Sequence, residues 1–128
     1  MADTEKITIN MSVVDLGKVD LLVEEGFYAN RTDFIRSAIR HQLTRHDEVV
    51  QQSAVRKSMV LGVLSYNHQE LAQLQERGQR VACRVVGMLV IDDDVEPELA
   101  QATIESIKVM GVFKANKAVR DALADRML

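Results

Sequence analysis

Polar and apolar residues alternate without a break at the start of the chain: Lys6, Thr8 and Asn10 fall on one side of an extended backbone, and Ile7, Ile9 and Met11 on the other. A period of two predicts a half-buried strand over about 6–12, and a strand this short is not stable alone. The period then changes. Leu16, Val19, Leu22 and Val23 form a helical stripe, with Ser12 and Asp15 at the spacing of a capping box in which Asp replaces the usual Glu or Gln. Gly26 stands where a left-handed C-cap belongs, so a helix is predicted over about 13–25. A broad apolar face follows, made of Phe34, Ile35, Ala38, Ile39 and Leu43; with Asn30 as its cap, it predicts a second helix over about 31–45. The stretch after it is polar with a few valines and is compatible with either a linker or a helix extension.

From Ser58 the pattern is different. "SMVLGVLSY" is apolar with almost no alternation, as in a strand covered on both faces. Asn67 and Glu70 repeat the cap-plus-acid spacing, and "HQELAQLQERG" reads as a short helix ending at Gly78. "RVACRVVGMLVI" reads as a long second strand. Pro97 suits a helix start, and "ELAQATIESIKVMG" places Leu99, Ala100, Ile104 and Ile107 on one helical face, with Gly111 as a stop. "VFKA" then reads as a short third strand, and "NKAVRDALADRML" as a closing helix with Val119, Ala122, Leu123 and Met127 inward. The expected order is β-α-β-α-β-α, with no strong internal repeat. The fold class is therefore α+β in three segments: 1–48 strand-helix-helix, 49–57 linker or extension, and 58–128 a small α/β domain.

Composition narrows the function classes. The chain has 128 residues, 47% hydrophobic and 27% charged, which fits one or two small globular domains and argues against disorder. No apolar run is long enough for a membrane span, and "MADTEKITIN" lacks a signal-peptide pattern, so a cytoplasmic protein without membrane partners is expected. Cys83 is the single cysteine, and His41, His46 and His68 are scattered, so no metal ligand set has usable spacing. Asp92, Asp93 and Asp94 sit at a strand-to-helix junction, where acids favour a helix N-terminus, and they lack the EF-hand spacing. No Gly-rich phosphate loop follows a strand and no nucleophile has a base at a recognisable spacing. Neither an enzyme nor a cofactor is expected. With three Phe, two Tyr and no Trp, a base-stacking platform for single strands is disfavoured as well.

A strand and two helices in under fifty residues cannot bury a core. Two copies solve this if their strands pair antiparallel and lay Ile7, Ile9 and Met11 on the helices of both. Lys6, Thr8 and Asn10 are then left outward on a two-stranded ribbon, which fits the major groove of B-DNA. By itself, such an alternation is most often the solvent face of an edge strand. The combination is more specific. "KITINMS", the helix ending "EEGFYANRTDFIRSAIRHQL" and the spacing between them resemble the ribbon-helix-helix repressors of the CopG/Arc/MetJ class over residues 5–46, "YANRTDFIRSAIR" being the most specific piece. The resemblance implies bacterial or archaeal origin, an intertwined homodimer formed through the N-terminal strand, and sequence-specific binding of double-stranded DNA. It implies that Lys6, Thr8 and Asn10 read bases. It further implies that the free N–H groups near Asn30, Arg31 and Thr32, at the start of the second helix, hold a phosphate. Arg36 and Arg40, at i and i+4, read as a solvated face, and the resemblance makes Arg36 alone a candidate dimer brace.

Charge tempers this picture. The chain carries a formal net charge of -3, which counts mildly against a nucleic-acid binder. Within 31–45, however, Arg31, Arg36, Arg40 and Arg45 stand against Asp33 alone. The expected surface is modestly and locally positive, with specificity resting on base contacts or on two dimers per operator.

The second segment resembles, more weakly, the ACT-like (ferredoxin-like) regulatory domain of the nickel-responsive NikR-type repressors, through "VLGVLSYNHQELAQLQERGQ" and "ATIESIKVMGVFKA". Its second strand has Cys83 but none of the histidines that the nickel type uses, and no hairpin turn lies between Arg80 and Ile91. The resemblance implies an oligomerisation or effector module that joins dimers into a tetramer or takes a small-molecule effector. The expected function is a transcriptional repressor. The alternative is an antitoxin whose C-terminal region binds a partner protein.

Overall fold

The computed structural model describes residues 4–128; residues 1–3, the start of the predicted DNA-binding segment, lie outside the described residues. The chain divides into two compact units, Met1–Gln52 and Ser53–Leu128.

The first unit holds α1 (Val13–Glu24) and α2 (Arg31–Arg45). Both helices start at the caps that the sequence offers: Ser12 Oγ accepts the Asp15 N–H at 3.5 Å and Asn30 Oδ1 accepts the Asp33 N–H at 2.8 Å. Gly26, at φ +86°, turns the chain after α1. Residues 4–12 form no regular element. A strand exists through its pairing, and one chain supplies no neighbour here, so Ile7 and Ile9 stand 71% and 61% exposed.

The undecided stretch after α2 is helical: α3 spans Asp47–Arg56 and crosses the boundary between the units. It ends in a tight turn where the Met59 N–H reaches the Ala54 carbonyl at 2.8 Å, with Ser58 at φ +55°.

The second unit alternates strand and helix: β1 (Val60–Tyr66), α4 (His68–Glu76), β2 (Val81–Ile91), α5 (Pro97–Thr103), β3 (Ile104–Lys114) and α6 (Lys117–Ala122), then a short 3-10 turn. The sheet is three-stranded and wholly parallel, in the order β1-β2-β3. This corrects the ferredoxin-like expectation, which requires four strands and a hairpin. Parallel strands need a crossover, and each crossover here is a helix.

A second correction concerns "IESIKVMG", expected as helix and found as most of β3. Leu99, Ala100, Ile104 and Ile107 are all buried, but the helix ends at Thr103, whose Oγ1 donates to the Leu99 carbonyl at 2.7 Å. Beyond it, Ile104, Ile107, Val109 and Val112 are β-branched and suit a strand, and pairing with β2 supplies their backbone hydrogen bonds. Leu99, Ala100, Ile104 and Ile107 fit a helical stripe, whereas the β-branched residues beyond Thr103 fit a strand; tertiary pairing decides between them.

One core lies on one face of this sheet. Cys83, Val85, Leu89 and Ile91 of β2 and Ile104 and Ile107 of β3 pack with Leu71 of α4, Leu99 and Ala100 of α5, and Val119 and Leu123 at the end of the chain. Alternation sends Leu61, Val63, Val86, Met88, Met110 and Val112 to the opposite face, where Leu61, Val63 and Met110 are about half exposed. Of the residues expected inward in the closing helix, Val119 and Leu123 are buried and Met127 is not. Met127 instead bridges to Ile107 on the outer side of β3.

Candidate nucleic-acid interface

The start of α2 is built by its own sequence. Asn30 is fully extended (φ -165°, ψ 178°) and caps the helix, while Asp33 Oδ2 accepts the Ala29 N–H at 2.9 Å. The Tyr28 ring meets Phe34 edge-on, with centroids 4.9 Å apart at 85°, which fixes the entry of the chain. Asn30 and Asp33 therefore hold the turn rigid. The amides of Arg31 and Thr32 are left without an acceptor among the described residues, as the first turn of a helix leaves them. Such amides, at the positive end of the helix dipole, form an anion site. An open depression of about 600 Å³ lies at this turn, lined by Asn30, Thr32, Asp33, Ser37 and the guanidinium-bearing Arg36 and Arg40.

Arg31 does not line this depression; its guanidinium donates to both oxygens of Asp20, at 2.7 and 2.8 Å, and so ties α1 to α2. The hydrogen bond from Arg31 holds the Asp20 carboxyl below the usual carboxylate range. The cations lining the depression are thus Arg36 and Arg40, which the sequence reading placed on a solvated face. Their i, i+4 spacing within the first three turns of α2 was the available signal. Asp33 sits among them as an opposing charge, so the depression is only mildly attractive to anions.

Lys6, Thr8 and Asn10 are exposed in the extended segment before α1. Val19 is the only side chain of the first unit that is buried among the described residues, while Leu21, Phe27, Ile39 and Leu43 are 45–72% exposed, like Ile7 and Ile9. Covering such side chains is worth on the order of 1–2 kcal/mol each. A single copy forgoes most of that gain, and a dimer recovers it.

The other chemistry-bearing residues are structural. Asp94 accepts the His68 N–H at 3.0 Å and ties the turn after β2 to the start of α4. Cys83 is buried in the core, and burial pushes its thiol up to about 11. Among the described residues no group of three or more His, Cys, Asp or Glu is arranged to hold a metal ion, and no helix is long and apolar enough to cross a membrane.

A thin-cored pair of helices behind an alternating segment is the pattern on which the ribbon-helix-helix resemblance rests. The comparison with protein families agrees: residues 2–120 match the model of the ribbon-helix-helix transcriptional regulator family, and the chain belongs to that family. Membership carries DNA binding and dimers with it. No curated protein and no solved structure matches the chain.

Proposed function

We propose that this regulator is a repressor whose dimer reads the major groove with a two-stranded ribbon. Lys6, Thr8 and Asn10 of each copy meet base edges, and a backbone phosphate sits on the amides near Asn30, Arg31 and Thr32, with Arg36 and Arg40 beside it. The observation that carries this reading is the strict alternation over 6–11, polar against apolar, in a unit whose apolar side has no cover within one chain. Segment 53–128 acts as the assembly module that joins dimers into a tetramer. Its bare apolar sheet face supports that role, and its well-packed core favours it over the disordered tail of a toxin-binding antitoxin.

The test is fluorescence anisotropy with DNA from the gene's own upstream region. Asn10→Ala is expected to weaken specific binding by about 1–3 kcal/mol if it pairs with a base. Lys6→Ala should weaken it too, with the salt dependence reduced by about one unit of slope for a phosphate contact and by less for a base contact. Affinity unchanged in the triple alanine variant at 6, 8 and 10 refutes the ribbon as the reading element.

A further inference from the structure

The three strands share one local sequence: "VLGVL" from Val60, "VVGML" from Val85 and "VMGVF" from Val109. In the sheet these segments lie level, with Gly62 paired to Gly87 and Gly87 to Gly111. All three glycines have positive φ, at +133°, +136° and +124°. Their contact has a direction. A Cβ on Gly87 would lie 2.0 Å from the Gly62 carbonyl oxygen, and one on Gly111 would lie 2.0 Å from that of Gly87. Each glycine thus offers its carbonyl to the next strand and its bare Cα to the previous one. At the ends of the row, the Gly111 carbonyl remains on the outer side of β3 and the bare Cα of Gly62 on the outer side of β1. There, a Cβ would meet nothing within 4 Å.

The outer edge of β3 is closed in its first half. On the β3 side, Met127 bridges to Ile107 and the Leu128 N–H donates to the Ile107 carbonyl at 2.7 Å. Just before β1, the Lys57 carbonyl accepts from Arg84 of β2 at 3.2 Å, on the inner side of the strand. Above this level, 60–66 and 109–114 pair with no strand on their outer sides among the described residues. These free stretches are parallel, level and of nearly equal length. An exposed edge of unpaired backbone groups is a template for another strand, and these two edges are complementary to each other.

We propose that the second unit joins a second copy of this chain head to tail. Residues 109–114 of one copy pair in parallel with 60–65 of the next, and the Gly111 carbonyl lies against the bare Gly62. This rests on the reading of 53–128 as the assembly module and adds its polarity: the contact is heterologous, so it closes into a ring or grows into a chain of dimers. A β1-to-β1 pairing would oppose two bare glycines and leave both carbonyl ends unused.

Cysteine pairs test this in the full-length protein. Leu61 and Met110 are 45% and 46% exposed on the same sheet face. Within one chain they are separated by β2, two strand spacings or about 9.6 Å, beyond the roughly 7 Å limit for a disulfide. Across the proposed joint they are neighbours. Cys83 is buried and does not compete. After mild oxidation, L61C/M110C is expected to give a ladder on a non-reducing gel. An equimolar mixture of L61C and M110C should give two-chain products only, and each single variant should behave like the wild type. Disulfide formation by L61C alone overturns the proposal in favour of an antiparallel joint. No ladder from the double variant, with wild-type protein sedimenting above the dimer, places assembly on another surface. No ladder, with a wild-type dimer at every concentration, removes the assembly reading as well.

Discussion

Replacing Gly87 by alanine tests how tightly the sheet is drawn together at the glycine row. Two costs are separable. The first is conformational: a side chain at φ +136° occupies a region that is nearly closed to L-residues, at about 1–3 kcal/mol. The second is steric. The new methyl would lie 2.0 Å from the Gly62 oxygen and 2.9 Å from its carbonyl carbon, both backbone atoms of an adjacent strand. Relief requires β1 and β2 to separate by more than about 1 Å. That breaks several ladder hydrogen bonds worth roughly 0.5–1.5 kcal/mol each. The total is expected to reach about 4 kcal/mol, a large part of the 5–15 kcal/mol typical of a folded domain. Gly62→Ala is the internal control, because Gly62 has nearly the same φ, +133°, and open space at the Cβ position. Urea unfolding followed by far-UV circular dichroism, at one low protein concentration, measures both variants. With a slope of about 2 kcal/mol per molar, the midpoint of Gly87→Ala should fall about 2 M, and that of Gly62→Ala about 1 M. Equal falls in the two variants would refute the close approach, leaving only the backbone conformation as the reason for glycine. At high concentration Gly62→Ala should also lose assembly, since the proposed joint fills that open space.

Two further outcomes follow. Asn30→Ala removes the cap that accepts the Asp33 N–H; it should cost about 1 kcal/mol of stability and weaken DNA binding, whereas Asn30→Ser should restore most of both. The Cys83 thiol should resist a disulfide reagent in the native protein and react at once in denaturant. With its folded value raised from 9.0 to about 11, the neutral thiol contributes stability that is fully present below pH 9 and lost as pH rises through 11. The loss is about 3 kcal/mol, and C83A should lack this alkaline dependence in pH-dependent urea midpoints.

The sequence was most legible where one local rule had no competitor. The α1 and α2 segments lie between strong caps and carry single apolar stripes, and their expected and observed limits agree to within a residue at each end. At α4 the full capping box of Asn67 and Glu70 sets the start, while the helix ends at Glu76, two residues before the expected Gly78. The limit of α5 was not legible, because "ATIESIKVMG" satisfies a helical stripe as well as a strand, and pairing with a distant strand decides. The repeat was missed for a different reason. Its signal is one glycine within four apolar residues, at positions 62, 87 and 111, and each of those glycines taken singly reads as a stop or a weak point. Comparing the three flanks, and the asparagines Asn67 and Asn116 that cap the helices after the first and third, would have exposed it. At the candidate interface, the Asn30 cap was legible from a local pattern, whereas the phosphate role of Asn30, Arg31 and Thr32 came from the family resemblance and remains a proposal. The pairing of Arg31 with Asp20, eleven residues away, needs the packing of two helices and leaves no local trace.

The strand-helix modules of the second unit stack in sequence order, α4 on α5 and α5 on α6, with one bare glycine marking each layer. A stack of this kind has no centre that every part must reach. A duplication of some 24 residues could be spliced in at a layer boundary without disturbing layers further along. The number of layers is therefore a quantity that evolution, or a protein engineer, can change by whole steps.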